Sequence, residues 1–323
     1  MSAPRFRVLP SAYAQAQTQS ERLRRHNDNT LLIVLFTLPG MVIFFLFVLM
    51  PIAQSAYYSL YDWNGFGPLD EFVGLGNYQQ LLNHSIFQMS LGHTLTIMSL
   101  SLAIQLPLAL LLALLVGRGS LRGRKIFRII LFIPYVFSEV ITAIIWRYVL
   151  SPDPEALLNA VLRIIFPSMQ SISWLGDRNV VLYALFAVLT WKYFGFYMIL
   201  YMAGLQTIPM EVEDAARVDG ATELQALRYV TIPLLGSTIR LTIFLSVLGS
   251  FQQFVLTWVL TNQGGPAYAA SLFATYLYEF GIKRLHLGYG AAVAVVLFVI
   301  TLTFSLGYQR IVMQRDYELD GQR

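Results

Sequence analysis

The 323-residue chain is 56% apolar and only 12% charged, its mean hydropathy is positive, and it contains no cysteine. Charged residues make up about a quarter of an ordinary soluble domain, so this composition leaves too little polar surface for a water-facing globule and is too apolar for a disordered chain. Without cysteine there is no disulfide framework and no thiolate metal site; the formal charge of +4 matters less than where its cations sit.

Residues 1–30 are polar and rich in Gln, Ser and Arg. They read as a cytoplasmic segment rather than a signal peptide, because the apolar run that follows is long and five more come after it. Those six runs cover about 31–50, 94–116, 129–150, 180–200, 241–260 and 289–308. About 20 apolar residues suffice to cross the hydrocarbon, and without water each amide must be paired within its own segment, so the runs are expected to be helices. The expectation is an all-α polytopic membrane protein: a transmembrane domain over 31–310 and a short tail over 311–323.

The basic residues orient it. Arg5, Arg7, Arg22, Arg24 and Arg25 precede the first span, and no Lys or Arg lies between the first two. Arg118, Arg122, Arg124, Lys125 and Arg128 lie between the second and third. This alternation places both termini in the cytoplasm. The loops 51–93, 151–179 and 261–288 then face outward and are long enough for short helices on the outer surface.

Several chemistries are missing. No Gly-Lys pair exists, hence no phosphate-binding loop. The four histidines are scattered without zinc spacing. Two ionisable side chains, Glu139 and Lys192, fall well inside the apolar runs, where charge is costly and usually functional. That is thin support for an intramembrane enzyme. It is also thin for a secondary transporter or channel acting alone, which would want ion-coupling carboxylates and an inverted repeat.

The loop over 205–233 carries more. Pro209 suits a first helical turn, with Glu211, Glu213 and Asp214 near the positive end of the helix dipole. Gly220 suits a left-handed stop, Thr222 with Gln225 makes a capping box, and Pro233 ends or kinks the second helix. The pattern by itself is an amphipathic helical hairpin. Its Ala215, Ala216, Asp219, Gly220, Ala221, Ile232 and Pro233 resemble the E-A-A…G…I-x-L-P loop of permease subunits of binding-protein-dependent ABC importers, with Asp214 where the family usually has Glu. Thr261-Asn262-Gln263-Gly264-Gly265-Pro266 resembles the T-x-G-G-P element of carbohydrate-type permeases, those for maltose, lactose and glycerol-3-phosphate. Phe72-Val73-Gly74-Leu75-Gly76-Asn77-Tyr78 is similar to their F-V-G-L-x-N-Y, and Trp174-Leu175-Gly176-Asp177 also fits.

The resemblance implies a type I ABC importer permease fold in a bacterial plasma (inner) membrane. It implies a second paralogous permease, two cytoplasmic ATPase subunits that hold the ATP and Mg, an external solute-binding protein, and no cofactor or metal on this chain. Asp214, Ala215, Ala216, Asp219 and Gly220 would couple to the ATPase. Three polar stripes fall where such permeases contact sugar: Tyr135 and Glu139, four apart in the third run; Lys192, Tyr193 and Phe196 in the fourth; Ser246, Ser250 and Gln253 in the fifth. Glu, Gln and Ser suit sugar hydroxyls, and aromatic rings suit a pyranose face. The plainer alternatives are that Glu139 pairs with Lys192, or that Ser and Gln hold helices together.

Overall fold

The computed structural model describes residues 33–117 and 123–313. The segment 1–30, Arg118, Arg122 and most of the tail 311–323 lie outside the described residues. The chain divides into two units, Met1–Tyr57 and Tyr58–Arg323. The first contributes nearly all of helix α1 (Ile33–Tyr58), which has no charged residue and whose most apolar stretch has a mean hydropathy of 2.7.

The second unit is helical, with a single antiparallel bridge between Tyr61 and Phe72 among its described residues. After the short α2 (Gly76–Asn83), α3 runs unbroken over Ser85–Gly117, well ahead of the expected start at 94. Next come α4 (Arg124–Val136) and α5 (Glu139–Val149), α6 (Leu157–Ile165) and α7 (Val181–Gln206). The hairpin helices α8 (Met210–Val218) and α9 (Glu223–Leu234) lead into α10 (Gly236–Gln252) and α11 (Val255–Leu260). Phe273–Tyr276 forms α12, which continues as a wider π-type coil over Leu277–Lys283, and Leu287–Met313 forms α13. Among the described residues four helices are long and apolar enough to cross a membrane, and counting each bent pair as one span gives up to six.

The bent pairs depart from the straight spans expected. Helices α4 and α5 meet at 100° and α9 and α10 at 66°. The first break has a local cause. Pro134 lies in the last turn of α4, Phe137 and Ser138 are extended (ψ 145° and 151°), and the Ser138 hydroxyl accepts the Ile141 N–H to start α5. Tyr135 and Glu139 therefore sit on two different helices, not on one shared face. The fifth run is interrupted too: Gln253 (ψ 111°) ends α10, so only Ser246 and Ser250 lie on that helix.

Helix α7 is the central element, with Val181, Leu185, Val188 and Met198 fully buried. One half packs with Ile97, Ala143, Leu256 and Leu260; the other with Leu106, Ala109 and Ala113 of α3 and with Leu235. In lipid, helices gain little from hiding apolar surface and associate by close packing over small residues. Gly195 shows this: a Cβ there would lie 2.1 Å from the Leu131 carbonyl oxygen where α4 crosses α7. A third cluster joins α3, α10, α12 and α13 through Phe87, Val247, Phe251, Phe273, Tyr276 and Val293. At its rim the Tyr276 hydroxyl bonds His84 Nδ1 (2.8 Å) and Tyr289 (2.6 Å). Burial and the nearby Arg284 cation hold the His84 imidazole below its ordinary range.

Two outcomes test this packing. Gly195→Ala should lower the melting temperature of the detergent-solubilised protein, at an overpacking cost of about 1–3 kcal/mol. For His84 the folded pKa lies below the unfolded one, so stability is complete above the unfolded value of about 6.5 and falls as the pH drops through that window. His84→Gln should flatten the melting temperature across that window.

Candidate translocation site and helical hairpin

Half-way along α7, Lys192 and Tyr193 meet the broken third span. Lys192 is buried, and its ammonium donates to the Phe137 carbonyl at 2.6 Å, a group that the end of α4 leaves without a helical partner. The Tyr193 hydroxyl donates to Glu139 Oε1 at 2.6 Å, and the Leu256 amide in the first turn of α11 donates to Glu139 Oε2 at 3.1 Å. Glu139 is itself the first residue of α5. One carboxylate thus serves the positive ends of two helices, the placement their dipoles favour. Buried Lys192 and half-buried Glu139 are each hydrogen-bonded to separate partners, which is how a low-dielectric site accommodates them.

Beside this junction lies a cavity of about 260 Å³. Glu139, Tyr193, Ser246, Ser250 and Gln253 line it, so the structure brings together five of the eight expected contact residues. Lys192 and Tyr135 fall elsewhere, on an open cleft that shares the Glu139 and Tyr193 walls. Phe196 lines neither space and stacks on Tyr135 (4.8 Å between centroids, 17° between planes). The cavity also recruits Gln252, the neighbour of the expected stripe, and Ser101, Gln105, Tyr197 and Gly249, which the sequence reading passed over. Ser101 and Gln105 carried a usable signal: four apart, they are the last polar residues of the second run, after Thr94, Thr96 and Ser99.

Several polar atoms here have protein partners. Ser250 Oγ donates to the Ser246 carbonyl (2.9 Å), and Gln105 Nε2 to the Leu189 carbonyl (3.3 Å). Ser246 Oγ and Gln253 Nε2 do not: both are buried on the cavity wall beside Tyr197 and Tyr193 without a well-formed hydrogen bond. Buried polar atoms are normally satisfied, and each of these two interacts with a neighbouring phenol, Ser246 with Tyr197 and Gln253 with Tyr193, at less than ideal geometry. The cavity can offer carboxylate and carbonyl acceptors, amide and hydroxyl groups and two phenol rings.

The hairpin occupies the opposite end of α7 from Val181. Pro209 precedes α8 as its cap rather than standing inside its first turn. Gly220, at φ 87°, closes α8: its amide reaches the Arg217 carbonyl, and the Ala221 amide reaches that of Ala216, the paired bonds of a left-handed stop. Thr222 and Gln225 form the capping box on α9. Arg217 holds the turn from both sides, bonding Asp214 (2.7 Å) and Glu223 (2.9 Å). Beneath it, the Thr231 hydroxyl donates to buried Glu213 at 2.6 Å and ties α8 to α9. Ala215, Asp214, Asp219 and Gly220 are exposed and Ala216 is half-buried. Val218 and Leu224 extend the apolar part of that face.

The remaining motifs form local hydrogen-bonded nodes. Asn77 is buried and donates to the Ser59 and Tyr61 carbonyls (both 2.9 Å). The Trp174 indole donates to Asn159 (3.0 Å). In the Gly264-Gly265-Pro266 loop the Gly264 amide donates to the Thr261 hydroxyl (3.1 Å). Asn262, Gln263, Ala267 and Tyr268 all take positive φ there. Lys283 holds the loop at Gln263 (2.6 Å) and Arg284 holds it at Tyr268 (3.1 Å), with Glu279 bonded to both cations.

Interrupted spans around a polar mid-span cavity, with a capped hairpin at one end, make an arrangement suited to a membrane transport subunit. Residues 105–315 match the binding-protein-dependent transport system inner membrane component, and the chain belongs to that family. It is 31% identical to the probable ABC transporter permease protein YurN of Bacillus subtilis over 87% of this chain and 95% of that one. It is 30% identical to the arabinooligosaccharides transport system permease protein AraP of the same bacterium, over 84% and 85% of the two chains. In fold it is similar to a chain in the crystal structure of a bacterial ABC transporter involved in import of the acidic polysaccharide alginate. That likeness has a TM-score of 0.76, at 24% identity, and covers 90% of this chain and 99% of that one.

Proposed function

We propose that this permease is one of two transmembrane subunits of an ATP-driven importer of a sugar or related carbohydrate in a bacterial inner membrane. The observation that carries the reading is the mid-span cavity walled by Glu139, Ser246, Ser250, Gln253 and the two phenols Tyr193 and Tyr197. Carbohydrate hydroxyls both donate and accept, and tyrosine rings offer flat faces to a pyranose. Glu139, Gln105, Gln252, Gln253, Ser246, Tyr193 and Tyr197 supply such a surface. The relative named for arabinooligosaccharides supports the same substrate class.

In this reading both termini and the hairpin face the cytoplasm, and a second permease supplies the other wall of the path. ATP and Mg are held by two separate ATPase subunits that dock on Asp214, Ala215, Ala216, Asp219 and Gly220. An external binding protein delivers the sugar to the outer loops, which include Gly264, Gly265 and Pro266. When the ATPases close, α8 moves, and the Glu213–Thr231 bond carries the displacement into α9. The bend at Leu235 passes it to α10, which bears Ser246 and Ser250. Sugar contacts therefore change with the nucleotide state, as alternating access requires of a ligand that distinguishes two conformations. Lys192 and Glu139 keep the broken span together through the motion, and in the open cleft they also face the path.

Two measurements bear on this. Asp214→Lys breaks the Arg217 pair and reverses the docking charge; substrate-stimulated ATPase activity of the reconstituted complex should fall at least tenfold while the subunits still co-purify. Unchanged stimulation would remove the hairpin from the coupling role. Gln253→Ala should weaken sugar uptake by vesicles several-fold at normal expression. Gly307→Ala, on α13 and outside the cavity wall, adds a methyl that meets nothing within 4 Å and should leave uptake intact. Equal uptake by both variants would remove Gln253 from the site.

A further inference from the structure

Helix α6 is amphipathic in the reverse of the usual sense. A surface helix of a water-soluble protein turns its apolar stripe toward the core and its polar residues toward solvent. Here Asn159 is turned inward, 2% exposed, and holds the helix to its surroundings: its amide donates to the Ser151, Asp153 and Ile172 carbonyls (3.2, 3.3 and 3.2 Å), and its oxygen accepts from the Ile172 amide (3.2 Å) and the Trp174 indole (3.0 Å). At about 100° per residue the outward side falls opposite it. That side carries Leu157, Val161, Ile164 and Ile165, which are 62%, 42%, 81% and 60% exposed. Phe166 continues the patch past the helix end at 56%.

The position of α6 says what covers it. The helix follows α5 after a short turn, and Asn159 bonds the Ser151 carbonyl, two residues beyond the end of α5, so it cannot stray from where that segment leaves the hydrocarbon. Exposed Ile141, Ile144, Ile145 and Tyr148 carry the apolar surface of α5 up to its last turns. Tyr148 is 77% exposed in the last turn of α5 and the Trp174 indole is bonded to Asn159 of α6, so aromatic side chains of the kind a membrane interface collects stand beside the helix. Arg163 stands exposed on α6, placed for a phosphate headgroup. We infer that α6 is an interfacial anchor that lays its Leu157–Val161–Ile164–Ile165 stripe into the phospholipid leaflet on this side, at the boundary between headgroups and acyl chains.

The inference needs the spans but not the sugar, and its test reads insertion rather than uptake. Because the chain has no native cysteine, Val161→Cys, Ile164→Cys and, as a water-exposed reference, Asp70→Cys each give one labelling site. Each variant, in the assembled transporter with its partners' thiols blocked, would carry a small fluorophore. The transporter would sit in nanodiscs of phosphatidylethanolamine and phosphatidylglycerol. Labels at 161 and 164 should be quenched by a headgroup-nitroxide lipid and be several-fold less sensitive to aqueous iodide than the label at 70. Iodide quenching equal to that at 70 overturns the inference, because the stripe then faces water. Shielding from both quenchers also overturns it, because a protein subunit then covers the stripe. Loss of uptake with the expected quenching pattern would count against the sugar reading and leave the anchor standing.

Discussion

A backbone group inside hydrocarbon has no water to fall back on, and every interruption of a spanning helix must be repaired by something else. The third span is interrupted by 100°, and the repair comes mostly from one turn of α7. Lys192 takes the Phe137 carbonyl, Tyr193 takes Glu139, and Glu139 takes the Leu256 amide across the second interruption, while Ser138 starts α5. Without these bonds two helix ends would lie unsatisfied at mid-span. The two charged residues at depth are in the first instance the means by which the chain tolerates two broken helices at one level.

The same junction makes the cavity. A straight α10 would carry the Gln253 side chain on around its own helix; the break instead leaves Gln253 at the wall with Ser246, Ser250 and Gln252. The bend between α4 and α5 brings the Glu139 carboxylate to the same space while Tyr135 is diverted to the open cleft and the Phe196 ring. Breaking a helix where a polar ligand is to be held is economical, because irregular backbone in a membrane is tolerated where it lines a cavity. The hairpin works by the opposite rule. Its turn is closed by Gly220, capped at Thr222 and spanned by Arg217, which ties it into one piece.

Family membership and these local devices account for different things. The match over 105–315 explains why the hairpin and the spans recur in this order. It does not explain why Glu139 and Lys192 are charged, and the bonds they make do. It is equally silent on α6, whose reversed polarity follows from Asn159 being drawn inward by four backbone groups and an indole.

Much of this was legible without coordinates, wherever the controlling force is local. Apolar run length decides that a segment leaves water. Gly220, Thr222 and Gln225 decide the hairpin turn through backbone conformation and capping bonds made within a few residues. Periodicity also found the Ser246 and Ser250 pair. Pro134 followed by Ser138 and Glu139 was a readable helix stop and start that a search for long apolar runs conceals, because apolarity is the same on both sides of the break. Tertiary structure alone decided the partners of Lys192 and Glu139, the separation of Tyr135 from Glu139, the place of Ser101 and Gln105 in the cavity wall, and the direction in which α6 turns its aliphatic side. Each of those depends on contacts between residues distant in the chain, and hydropathy, which is a sum over neighbours, contains no information about them.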